Sequence, residues 1–113
     1  MAESKNSKVK NIDDKTFDEV ISQGVTLVDF WAPWCYPCRA QGAIIEVVAE
    51  KIGDKVQICK LNVDENGITP QKFNVSAIPT LIIFKDGIAS KQFVGAQSEN
   101  TLLETIESII NEE

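Results

Sequence analysis

Apolar positions along this chain fall into two kinds of run, and their spacing separates strands from helices. Val25-Thr26-Leu27-Val28-Asp29-Phe30-Trp31 is β-rich and almost continuously apolar, as a central strand covered on both faces should be. Residues 56–63 predict another strand. Residues 80–84 and 88–94 predict two more, joined at Asp86-Gly87, a pair that favours a tight hairpin turn. Helical spacing appears elsewhere. Phe17, Val20 and Ile21 stand three and four apart, which predicts a short amphipathic helix capped near Asp13 and ended by Gly24. From about Cys35 to Ile52, the residues Ile44, Ile45, Val48 and Ile52 share one face, and Gly53-Asp54 stops the run. A short helix is expected around 69–73. Ser98 suits the N-cap of the last helix, with Glu99 in its first turn and Leu102, Leu103, Ile106, Ile109 and Ile110 as its stripe.

The resulting order is β-α-β-α-β-α-β-β-α. Strands alternating with helices imply an α/β protein with a mixed sheet covered on both faces. A chain of 113 residues suits one domain, expected over 9–113 behind a polar, flexible start at 1–8. It contains no internal repeat and no low-complexity segment.

Composition narrows the function classes. With 43% hydrophobic and 25% charged residues, disordered and fibrous classes drop out. Seventeen acidic residues against eleven basic give a net charge of −6 and leave no basic stripe, which argues against nucleic acid or an anionic membrane as partner. No apolar run approaches the roughly 20 residues that span a bilayer. Residues 1–10 have neither the apolar stretch of a secretory signal nor the arginine-rich character of a transit peptide. A cytoplasmic location is therefore expected, where cysteines are seldom structural disulfides. Three cysteines cannot all pair within one chain, which agrees with that expectation.

The chemistry concentrates at Trp34-Cys35-Tyr36-Pro37-Cys38, where a buried strand gives way to a helix. Cys35 falls at the helix N-terminus, where unpaired N–H groups and the positive dipole end stabilise a thiolate. Cys38 lies one turn on, on the same face and close enough for a disulfide. Pro37 fits the first turn, where its missing N–H would have no helical partner. The pattern points to thiol–disulfide exchange: Cys35 attacks a disulfide and Cys38 resolves the mixed disulfide. Asp29 interrupts an apolar strand, and a buried acid needs a partner or a task. Cys59 is expected on the opposite side of its strand from Ile58 and Lys60, as a buried, inert thiol. Zinc on the three cysteines is a weak reading, because the chain has no histidine and no matching fourth ligand.

The segment Trp31-Ala32-Pro33-Trp34-Cys35-Tyr36-Pro37-Cys38-Arg39 resembles the thioredoxin active-site motif. The likeness continues through Lys60-Leu61-Asn62-Val63-Asp64, Ile78-Pro79-Thr80-Leu81, Phe84-Lys85-Asp86-Gly87 and Val94-Gly95-Ala96, and only the first ten or so residues lie outside it. This resemblance implies a thioredoxin fold, a central mixed sheet of about five strands flanked by about four helices. It also implies a monomeric protein-disulfide reductase with no bound cofactor beyond the Cys35–Cys38 pair. A separate, thioredoxin-reductase-type donor would recharge it, and disulfide-containing proteins would be its substrates. NADPH should not bind directly, since there is no glycine-rich dinucleotide motif.

Further residue roles follow from the resemblance alone. Asp29 would be the family's buried aspartate, sitting behind the second cysteine and helping to move its proton, with a raised pKa. Lys60 would accompany it. Pro79 would be the cis-proline, with the backbone of Ile78 pairing with an extended substrate strand. Gly95 would complete the docking groove, and Trp34, Ile78 and Ala96 would form an apolar rim around Cys35.

The chain departs from the family pattern twice. Tyr36 stands where thioredoxins usually carry glycine, so a phenol at the site mouth is expected to cover part of Cys35 and restrict docking partners. A tolerated, exposed tyrosine is the plain alternative. Ala43 stands where they usually carry a proline that kinks the helix, so a straighter helix is expected, with Gly42 able to restore some bend. An oxidase or isomerase, or a redox-independent binding module, are the competing readings. Pro37 before the second cysteine resembles the reducing members.

Overall fold

A computed structural model describes residues 7–112. The elements are β1 (Val9–Asn11), α1 (Phe17–Ile21), β2 (Val25–Trp31), α2 (Tyr36–Ile52), β3 (Val56–Asn62), α3 (Ile68–Lys72), β4 (Thr80–Lys85), β5 (Ile88–Val94) and α4 (Glu99–Ile110). This is the predicted order, and β1 supplies the opening strand for which the hydrophobic pattern gave no bounds. Most of the expected flexible start lies outside the described residues; within them, the Ser7 hydroxyl bonds the Glu46 carboxylate on α2 at 2.8 Å.

The five strands order as β1-β3-β2-β4-β5. β1 and β2 flank β3 in parallel, while β4 runs antiparallel to both β2 and β5. β2 is therefore central and hydrogen-bonded along both edges, as its continuous apolar run predicts. Alternation along the strands divides the core in two. Leu27, Ile58, Leu81 and Ile83 face Ile45, Val48 and Ile52 of α2 and Leu102, Ile106 and Ile109 of α4. Val28, Phe30, Cys59, Ile82 and Phe84 face Phe17 and Ile21 of α1 together with Phe73. On that second side Phe17, Phe73 and Phe84 form a three-ring cluster with centroids 5.3–5.5 Å apart, in tilted and edge-on contacts.

The local signals behave as their chemistry dictates. Asp86 and Gly87 both take positive φ in the β4–β5 turn, the conformation that makes such a pair a hairpin signal. Ser98 Oγ accepts the Thr101 N–H and caps α4. The start of α1 differs from expectation: Asp13 is not its cap. Its carboxylate accepts the Thr16 N–H at 2.9 Å in a turn, and the helix begins only at Phe17. The apolar face of α2 also differs slightly, with Ala49 buried and Ile44 only half-buried. Without proline at position 43, α2 runs unbroken for 17 residues through Gly42 and Ala43.

Candidate active site

The site is built where β2, the most protected strand, hands over to α2. Ala32 to Trp34 turn the chain, and the Cys35 N–H donates to the Ala32 carbonyl at 3.1 Å. Cys35 is the N-cap of α2 with extended backbone, and Pro37 sits in the first turn as expected. Cys35 and Cys38 are joined by a disulfide, with Cα atoms 5.2 Å apart. The Cys38 N–H, one of the orphan donors of the helix start, points at Cys35 Sγ at 3.2 Å. A thiolate on Cys35 would meet that donor together with the positive end of a 17-residue helix.

Both sulfurs are recessed. Cys35 is only 4% exposed, packed with Ala32 and Cys38 against Trp31, Val63 and Ile78. Tyr36 is 83% exposed. A ring that buries so little of its own surface shields little of anything else, so the expected cover over Cys35 comes from those neighbours and not from the phenol. Trp34 is 68% exposed, and its indole N–H donates to both Asp64 carboxylate oxygens at 3.0 and 3.2 Å. Asp64 was readable only as part of a motif; its contact with Trp34 spans thirty residues and has no local signal.

The peptide bond between Ile78 and Pro79 is cis, and the Ile78 carbonyl oxygen lies 3.8 Å from Cys35 Sγ. Gly95 follows β5 with φ of 96°, a conformation that suits a residue without Cβ, and its N–H donates to the Pro79 carbonyl at 2.8 Å. Ile78, Pro79 and Gly95 are thus brought together, with Ala96 exposed beside them. Gln41, one turn beyond Cys38 on α2, is fully buried and bonded to the backbone of Gln97, a contact that an apolar-face reading of the helix does not suggest.

Asp29 points to the α2 side of the sheet, since its β2 neighbours Val28 and Phe30 face α1. It is 1% exposed, and its Oδ1 makes no hydrogen bond among the described residues. Burial raises its pKa from 3.8 to about 7, against the lowering pull of Lys60. Lys60 is its partner in the β2–β3 register, and the Lys60 ammonium lies 5.0 Å from the Trp31 ring centroid. Cys59 lies on the far side of the sheet, wholly buried, where desolvation pushes its thiol to about 11 despite Lys10. No cluster able to hold a metal occurs among the described residues, and no helix there is long and apolar enough to cross a membrane.

The family profile described as thioredoxin matches residues 8–108. A thioredoxin from Rhodospirillum rubrum is 42% identical over 104 residues, covering 90% of this chain and 100% of that protein. One from Staphylococcus saprophyticus is 46% identical over 99 residues, covering 88% and 95%. Among solved structures, a mutant thioredoxin from Halobacterium salinarum superposes with a TM-score of 0.86 at 31% identity, over 99% of each chain. Together with the disulfide at the N-terminus of α2, these likenesses show that the chain belongs to the thioredoxin family and is a thiol–disulfide oxidoreductase that reduces protein disulfides.

Proposed function

We propose that the chain works as a cytoplasmic reductant in which Cys35 is the nucleophile, Cys38 the resolving thiol, and a separate reductase restores the dithiol. The observation that carries this reading is the Cys38 N–H aimed at Cys35 Sγ within the first turn of α2. That donor and the helix dipole favour the thiolate on Cys35, the cysteine at the helix start.

The Cys35 thiolate attacks one sulfur of a substrate disulfide, forming a Cys35–substrate bond and releasing the other substrate sulfur as a thiolate. Cys38 then loses its proton and attacks Cys35 Sγ. The internal disulfide forms, the second substrate sulfur leaves, and two electrons have passed to the substrate. Asp29, buried on the α2 side with a pKa near neutrality, is suited to take the Cys38 proton, and Lys60, which pulls that pKa down, favours the carboxylate form that accepts it. Ile78, whose carbonyl lies beside Cys35 Sγ, offers backbone to an extended substrate segment, between Pro79 and the Gly95–Ala96 wall. Trp34, held by Asp64, and the projecting Tyr36 and Pro37 form the surface a partner meets first. Partners are disulfide-bearing proteins and the reductase; the acidic surface fits neither nucleic acid nor an anionic membrane, and the protein acts as a monomer without a further cofactor.

The deciding experiment is titration of the Cys35–Cys38 pair against a glutathione buffer, paired with insulin reduction by the wild type and by the double Cys35→Ser, Cys38→Ser variant. A potential well below the glutathione couple and loss of turnover in the double variant support the reading. A potential at or above that couple makes the pair a disulfide donor and overturns it.

A further inference from the structure

Gln41 is a fully buried polar side chain on the inner face of α2, one helical turn past Cys38. Its amide engages one residue twice: Oε1 accepts the Gln97 N–H at 2.6 Å, and Nε2 donates to the Gln97 carbonyl at 3.1 Å. A primary amide presents the same donor–acceptor pair as a peptide group, so Gln41 stands in for a strand residue pairing with Gln97. The chain between β5 and α4 is thereby tied to the redox helix. Gln97 in turn sends Nε2 to the Gly95 carbonyl at 3.2 Å, and the Gly95 N–H reaches the Pro79 carbonyl at 2.8 Å. One unbroken series of hydrogen bonds therefore runs from α2 through Gln97 and Gly95 to Pro79, next to the Ile78 carbonyl that faces Cys35 Sγ.

The geometry points to Gln41 as a positioning residue for substrate docking. By clamping Gln97 it holds the Gly95–Ala96 wall at a set distance from the Ile78–Pro79 edge, so that an extended protein segment meets both walls and Cys35 together. Both hydrogen bonds of the Gln41 amide go to Gln97, so its effect passes through the loop. A small disulfide needs only Cys35 and gains nothing from the walls, so the clamp separates protein substrates from small ones. This inference rests on the protein-disulfide reduction described above.

The test compares full-length wild type, Gln41→Met and Gln97→Ala. Methionine is unbranched and of similar size but lacks both hydrogen bonds, whereas Gln97→Ala frees the Gly95 carbonyl from a half-buried loop position that no core packing depends on. Three readouts are taken: half-saturating concentration and kcat with insulin, the rate with dithiobis(nitrobenzoate), and the potential of the cysteine pair. Gln41→Met is expected to raise KM for insulin about tenfold, with kcat, the small-disulfide rate and the potential within about twofold. Gln97→Ala should move KM in the same direction by a smaller factor. An unchanged insulin KM in both variants overturns the inference, as does an equal fall of the small-disulfide rate in both, which marks general damage to the site. If Gln41→Met does not fold, Gln41→Glu, which keeps the acceptor for the Gln97 N–H and loses the donor to its carbonyl, is measured in its place and read in the same terms. A wild type that fails to reduce insulin would instead remove the reading on which the inference stands.

Discussion

Asp29 and Lys60 face each other across the parallel register of β2 and β3, yet the lysine does not govern the carboxyl. Burial outweighs it and leaves Asp29 a weak acid with a pKa of about 7. In the unfolded chain the same group loses its proton near 3.8, so between these values the unfolded state releases its proton first. Stability from this group is therefore full below about pH 4, falls as pH rises to about 7, and is flat beyond, a loss on the order of 4 kcal/mol. Asp29→Asn keeps the shape and removes the ionisation. Urea unfolding of the oxidised protein should show the variant more stable than wild type by a few kcal/mol at pH 8 and nearly equal at pH 4. An equal gain at both pH values would mean that something other than the buried charge is responsible.

Tyr36 projects into solvent from the first turn of α2, so it contributes to recognition more than to stability. Tyr36→Gly is expected to change unfolding free energy by less than about 1 kcal/mol. Turnover of insulin and turnover by the reductase should change unequally, by about threefold or more in their ratio, as removal of an exposed aromatic anchor does at an interface. Steady-state kinetics with the two partners checks this; an unaltered ratio marks the tyrosine as merely tolerated.

Asp14 caps a helix far from its own position. Its carboxylate accepts the Ile68 N–H at 3.2 Å and the Thr69 N–H at 2.9 Å at the start of α3. Desolvation pushes its pKa up, but the hydrogen bonds from Thr69 and Ile68 outweigh that and hold it below the usual value. Its stabilisation is thus present above the unfolded-state pKa and is lost as pH falls through the lowered one. Asp14→Ala should cost about 1 kcal/mol at pH 7 and progressively less in acid, measured by chemical denaturation across that range.

Cys59 should be chemically silent. With its thiol raised to about 11 and no exposed surface, native reduced protein at pH 8 should take up iodoacetamide at Cys35 and leave Cys59 unmodified. Mass spectrometry reads this directly, with labelling of all three cysteines in urea as the control. Fast native labelling of Cys59 would contradict the burial described for β3.

Much of this architecture was legible because its signals are local. Apolar β-rich runs and helical spacing placed the strands after β1 and the helices, Asp86-Gly87 marked the hairpin, and Ser98 marked the start of α4. The cysteine pair was legible for the same reason, since a three-residue separation at a helix start is a local fact. What escaped are contacts between distant positions. Asp13 read as the cap of α1 but closes a turn, and Asp14 serves α3 some fifty residues on. Gln41 carries no local signal of its role, because its partner Gln97 belongs to a loop 56 residues away. Tyr36 could be named as a departure, but side-chain type does not say whether a ring folds over a sulfur or stands clear of it.

The depth of Cys35 makes the protein a judge of its clients' looseness. A sulfur shut in by Ala32, Val63 and Ile78 cannot go out to meet a disulfide; the disulfide must be carried in to it. A bond stapled inside a rigid, well-folded client has no slack to make that approach, whereas one on a peeled-back or strained segment does. How far a client's chain can be drawn out thus bears on whether its disulfide reaches Cys35 at all, beside whatever the docking walls recognise.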